Sequence, residues 1–185
     1  STPVRRLHPA FAFAFFALAA GCGRPPAPKP SPALFDDVAA ASGISFVHRN
    51  GAQGEHRYIE VLPGGVACLD FDSDGWLDLL FVQSGSSAPP ETVRDRPFCT
   101  LYRNRGAGTF EDVTKGSGFD RDLGYAHGVA VADTDGDGDP DVFLASFGGN
   151  RLFRNDGGGR FTDVTRDAGL AARHETGYAT SAVFG

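Results

Sequence analysis

The chain has 185 residues, 41% hydrophobic and 22% charged, which is enough apolar material for one modest core and makes no case for global disorder. With 25 Gly, 12 Pro and 16 Phe, no Met and one Trp, the composition favours a turn-rich β architecture over long amphipathic helices. A formal charge of -6 argues against nucleic-acid binding and for cations as partners, while three cysteines, Cys22, Cys68 and Cys99, none in a CxxC pair, disfavour a disulfide scaffold, a zinc site and dithiol chemistry.

Residues 1–22 combine a cationic stretch at Arg5 and Arg6, an apolar run from Phe11 to Ala20 and small residues before Cys22, the anatomy of a secretory signal. The run is about half the roughly 20 residues a membrane-spanning helix needs. Leu18-Ala19-Ala20-Gly21-Cys22 resembles a bacterial lipoprotein signal, which implies lipidation of Cys22 and export to the outer membrane, cell surface or periplasm; Ala19 stands where such signals usually carry Leu, so plain secretion stays open. Residues 23–34 carry five prolines and read as an extended tether. The only membrane association expected is this lipid anchor.

The remaining chain repeats itself. LYRNRGAGTFEDVT (101–114) recurs as LFRNDGGGRFTDVT (152–165), GVACLDFDSDGWLDLLFV (65–82) as GVAVADTDGDGDPDVFLA (128–145), and GYAHGVAVA (124–132) as GYATSAVFG (177–185). Each period of about fifty residues contains four short β segments, at 65–70, 77–83, 99–103 and 109–114, then 128–133, 141–146, 151–154 and 160–165. Four antiparallel strands per such period is the arithmetic of a β-propeller blade. The expected fold is all-β, with repeats over 35–185, blades at about 65–114 and 124–165, and a third beginning at 177. Gly185 immediately precedes the position matching Asp133, so a third acidic loop is expected to follow. Cys68 and Cys99, on the first and third strands of one blade, are expected as buried, unbridged thiols.

DFDSDGWLD (70–78) and DTDGDGDPD (133–141) share the form D-x-D-x-D-G-x-x-D and hold nine of the 23 acidic residues. Calcium takes six to eight oxygens at about 2.3–2.6 Å, and alternate positions of a tight loop turn carboxylates to one point. Asp70, Asp72, Asp74 and Asp78 with the carbonyl of Trp76 form one expected site; Asp133, Asp135, Asp137 and Asp141 with the carbonyl of Asp139 form the other. Gly75 and Gly138 permit the turn. An EF-hand needs Glu at the twelfth position, where Phe81 and Leu144 stand. Magnesium, which prefers few protein ligands, fits less well.

These loops, the GVAxxD strands before them and the L-[YF]-R-N…G…F-x-D-V-T segments after them resemble the FG-GAP/VCBS repeats of integrin-type β-propellers. The lead-in FDDVAAASGISFVHRNGAQGEHRYIEVLPGGVACLDFDSDG looks like the start of the bacterial cartilage-acidic-protein-like family, often carrying a carboxy-terminal ASPIC/UnbV domain, which is absent here. The resemblance implies an amino-terminal piece, about two blades, of a seven-bladed propeller with calcium in the hairpin between the first two strands of a blade.

Bland readings suit the remaining residues. His48, His56 and His127 are expected at surface or loop positions, and the recurring Arg103-Asn104 and Arg154-Asn155 are expected to hydrogen-bond between blades. Gly157-Gly158-Gly159 reads as a hairpin turn, and no Ser, His and Asp arrangement can be assembled, so no catalysis is expected. The functional expectation is an exported calcium-binding module for adhesion or for a protein or glycan ligand. The alternatives are a lectin, for which Trp76 and Tyr58 are the hints, and a calcium-dependent polysaccharide-active enzyme.

Overall fold

A computed structural model describes residues 34–50, 64–84, 99–120, 125–147, 149–171, 179 and 181–184. The signal with Cys22, the tether to residue 33, His56, Tyr58 and Gly177 lie outside the described residues. The chain divides into two units, Ser1–Asp36 and Asp37–Gly185, and both sheets belong to the second.

Eight strands follow one another: β1 (Val66–Leu69), β2 (Asp78–Val82), β3 (Cys99–Asn104), β4 (Phe110–Asp112), β5 (Tyr125–Ala132), β6 (Asp141–Phe147), β7 (Arg151–Asn155) and β8 (Phe161–Asp163). They pair into two four-stranded antiparallel sheets in the orders β1-β2-β3-β4 and β5-β6-β7-β8. No helix occurs among the described residues. Within each sheet every strand therefore pairs with the next one along the chain, an antiparallel meander. Val66 stands opposite Phe81 and Leu69 opposite Asp78, so the eight residues between Leu69 and Asp78 form the first acidic turn; Ala132 opposite Asp141 closes the second.

The recurring D-V-T ends each outer strand by a fixed hydrogen-bond pattern. Asp112 Oδ1 accepts from the Thr114 N–H at 3.0 Å and from its hydroxyl at 2.6 Å, while Thr114 Oγ1 accepts the Leu101 N–H at 3.0 Å. Asp163, Thr165 and Leu152 repeat this at 3.1, 2.5 and 2.9 Å. The Thr side chain thus continues the ladder where the outer strand leaves it, and the backbone N–H groups of Leu101 and Leu152 are paired there.

One backbone bond ties each blade to the segment before it. Phe110 N–H donates to the Ser42 carbonyl at 2.8 Å, and Phe161 N–H to the Ser117 carbonyl at 2.7 Å. The glycine after each acceptor, Gly43 or Gly118, has positive φ and lies under the Phe carbonyl; a Cβ on Gly118 would come within 2.1 Å of Phe161 O. Phe71 from the first acidic turn packs on Phe161 of the second blade, and Phe119 packs on Phe153 and Phe161. With Leu69, Leu80, Val82, Leu101, Val142 and Leu144 they form one core shared by both blades.

Three expectations are corrected. Cys68 is exposed, because β1 is an edge strand of its sheet and buries only Leu69; Cys99, inside the sheet on β3, is buried, and both thiols are free. β5 starts at Tyr125 instead of Gly128, and His127 is the extra residue of a bulge between Ala126 and Gly128, 4% exposed and packed on the Tyr125 ring. Of the two repeated asparagines, Asn155 bonds between blades, to Phe71 O, but Asn104 bonds Leu77 O in its own blade. Arg103 and Arg154 also pair within their own blades, each with a nearby acidic side chain.

Candidate metal centre

Both acidic turns have the same internal frame. Asp70 accepts the Asp74 N–H through Oδ1 at 3.0 Å and the Gly75 N–H through Oδ2 at 2.9 Å; Asp133 accepts the Asp137 and Gly138 N–H groups at 3.2 and 3.0 Å. These bonds curl the backbone around the carboxylate, and the curl requires a left-handed residue at Gly75 (φ 86°) and Gly138 (φ 95°). A second left-handed position holds Gly136 in one turn and Ser73 (φ 57°) in the other. Asp74 Oδ1 and Asp137 Oδ1 each accept the N–H two residues on, from Trp76 and Asp139, both at 2.9 Å.

The last Asp of each turn is fully buried. Asp78 Oδ2 accepts the Phe71 N–H at 3.1 Å and Oδ1 the Asn104 N–H at 2.7 Å, so one carboxylate joins the turn to β3. Asp141 does the same with the Thr134 N–H at 2.9 Å and the Asn155 N–H at 2.8 Å, and it also accepts the Thr134 hydroxyl. Burial pushes the Asp78 carboxyl above its ordinary value; the bonds from Asn104 and Phe71 pull it back, and the charges of Asp72 and Asp74 push it further up.

The structure brings Asp70, Asp72 and Asp78 together, with one oxygen of each within 4.8 Å of the others, and likewise Asp133, Asp135 and Asp141. Asp74 and Asp137 stand outside these two groups. The Asp139 side chain turns away to the other blade, where its Oδ1 accepts the Ser73 hydroxyl at 3.1 Å. Asp72 is the least satisfied of the set. Its side chain is 8% exposed, and among the described residues neither oxygen accepts a directed hydrogen bond, although the Arg103 guanidinium approaches Oδ2 to 2.5 Å. A donor set made only of carboxylate oxygens suits a hard cation, and such an ion needs no directional donor.

Sequence reasoning did not single out Arg103 as a neighbour of the first turn, or the Asp112–Thr114 and Asp163–Thr165 clips. The clips had a signal, the identical D-V-T in both periods. Arg103 had none, because the equivalent Arg154 behaves differently.

Four-stranded antiparallel meanders, repeated in sequence and packed on a shared core with an acidic turn between the first and second strand of each, define a propeller-type repeat protein. The family model of the FG-GAP-like repeat matches residues 70–144 and 133–185, more than half of the chain. The chain belongs to the FG-GAP-like repeat family. No curated protein matches it.

Proposed function

We propose that this chain is an exported, calcium-binding β-propeller module that holds a protein or glycan ligand, as in adhesion, and is not itself a catalyst. FG-GAP repeats are propeller-type binding modules. The observation that carries the calcium reading is the occurrence of equivalent three-carboxylate groups in both blades, one of which contains the buried oxygens of Asp72, which accept no directed hydrogen bond among the described residues and meet only the Arg103 cation. Like charges at ~4 Å repel by on the order of 4 kcal/mol at an effective dielectric near 20, and a divalent cation reverses the sign of that term.

In this reading Asp70, Asp72 and Asp78 with the Trp76 carbonyl hold one ion, and Asp133, Asp135 and Asp141 with the Asp139 carbonyl hold the other. Asp74 and Asp137 shape the turn or reach the ion's outer coordination. Because Asp78 and Asp141 also accept from β3 and β7, each ion would brace the turn against the third strand of its blade. Export rests on the signal anatomy of residues 1–22, and the lead-in's likeness to cartilage-acidic-protein-like proteins agrees with it.

Calorimetric titration with calcium chloride tests the metal. Two ions per chain are expected for the wild type and one for Asp70→Asn or Asp133→Asn. Asp139→Ala should leave the stoichiometry at two, its side chain being engaged with Ser73. An unchanged stoichiometry in both asparagine variants would reduce the turns to acidic hairpins. For export, Cys22→Ala should move the protein from the membrane fraction to the soluble one; equal partitioning sinks the lipid anchor.

A further inference from the structure

The two acidic turns are alike in sequence but not in their surroundings. In the first blade, Arg103 of β3 reaches back over the turn: its Nη2 lies 2.5 Å from Asp72 Oδ2 and donates to Asp74 Oδ2 at 3.4 Å. In the second blade the equivalent Arg154 pairs instead with Asp156, with Nε at 2.9 Å and Nη2 at 2.7 Å from Asp156 Oδ1. Among the described residues no basic side chain forms a close ion pair with Asp133, Asp135, Asp137, Asp139 or Asp141, although Arg154 feels the charges of Asp135 and Asp137.

The cause is a local exchange of side chains two residues after each arginine. The second blade has Asp156 there, fixed by the Thr162 hydroxyl at 2.5 Å, and this carboxylate captures Arg154. The first blade has Arg105, which Glu111 holds through Nε and Nη2. The one carboxylate opposite Arg103 on its own hairpin, Glu111, is thus taken by Arg105, and Arg103 pairs with the anions of the turn. It meets them over Asp72, whose oxygens are buried yet lack any directed bond.

We propose that Arg103 is a built-in counter-cation of the first acidic turn, so that the two turns are unequal: the second binds calcium more tightly, and the first fills only as Arg103 is drawn off Asp72. This rests on the calcium reading above. Arg103 is about a third exposed, so solvent screens its pairing, and removing it should tighten the first site by about 3- to 10-fold. Arg154, whose main partner is Asp156 and which feels Asp135 and Asp137 only more weakly, should matter less to the second site.

Calorimetric titration of the full chain with calcium chloride distinguishes the possibilities. The wild type should show a tight and a weak class, with Asp133→Asn removing the tight one and Asp70→Asn the weak one. Arg103→Gln should tighten the weak class 3- to 10-fold and leave the tight one unchanged, and Arg154→Gln should move neither by more than about twofold. The thermal midpoint in chelator supplies a second readout. Arg103→Gln should lower it, because the carboxylates lose their counter-charge, while calcium binding improves; an arginine with a merely structural role would weaken both together. Equal affinities in the wild type, or a weak class that Arg103→Gln leaves unaltered, would overturn the inference while leaving the calcium reading intact. Absence of any calcium binding in the wild type would overturn both.

Discussion

Asn155 of β7 donates its side-chain amide to the carbonyl of Phe71, a residue of the other blade's acidic turn, at 2.9 Å and out of contact with water. The same side chain accepts the Gly157 N–H at 3.0 Å, and its backbone N–H reaches Asp141. One residue thus connects both turns to the hairpin between β7 and β8. Asn104, its counterpart, spends its amide on Leu77 at the surface of its own blade.

Asn155→Ala should therefore cost about 1–3 kcal/mol, the price of leaving the Phe71 carbonyl buried and unpaired. Asn104→Ala should cost less, because water can replace the bond to Leu77. Urea denaturation of both variants checks this, and equal losses would mean that the inter-blade bond carries no special weight.

Gly118 is the tightest backbone crossing between the blades. Gly118→Ala combines a left-handed φ of 101° with a Cβ 2.1 Å from Phe161 O, so the second blade's outer strand must shift. A loss of at least ~2 kcal/mol is expected. Gly116→Ala, with φ 80° and open space around it, carries backbone strain alone, about 1 kcal/mol. The comparison of the two melting midpoints separates strain from contact.

His127 gives stability a pH dependence of known sign. Burial holds its pKa below the ordinary 6.5, and among the described residues neither ring nitrogen has a hydrogen-bond partner. Above pH 6.5 the ring is neutral in both folded and unfolded chains. As pH falls through 6.5, the unfolded chain takes up a proton that the folded chain refuses, so stability declines until the lower folded-state value is passed. Denaturation of wild type and His127→Phe in the presence of chelator, at about pH 7 and at about pH 5.5, should show a steeper decline in the wild type; parallel losses would contradict this.

The cysteines should differ sharply in reactivity. Burial pushes the Cys99 thiol up to about 12, while Cys68 is exposed on the edge strand β1. Alkylation of the native protein followed by peptide mapping should label Cys68 and leave Cys99 unmodified until denaturant is added. Labelling of Cys99 at a rate comparable to Cys68 would show that the first sheet opens locally.

The amino-acid sequence by itself determined the blades. A fifty-residue period, four apolar segments per period and Gly at the turns are local and repetitive signals, and a meander that pairs neighbouring strands needs little else. The acidic turns were legible for the same reason, since their ligand spacing lies within nine consecutive residues. Only the tertiary structure decided what depends on distant neighbours. His127 is buried because a bulge turns a strand residue inward, and Cys68 is exposed because its strand lies at an edge. Asn155 bridges blades while Asn104 does not. Arg103 pairs with the first acidic turn because Arg105 occupies Glu111 opposite it, whereas Arg154, near the second, pairs with Asp156. Identical motifs thus acquire different surroundings, because burial and charge pairing are set by what packs alongside a residue in space.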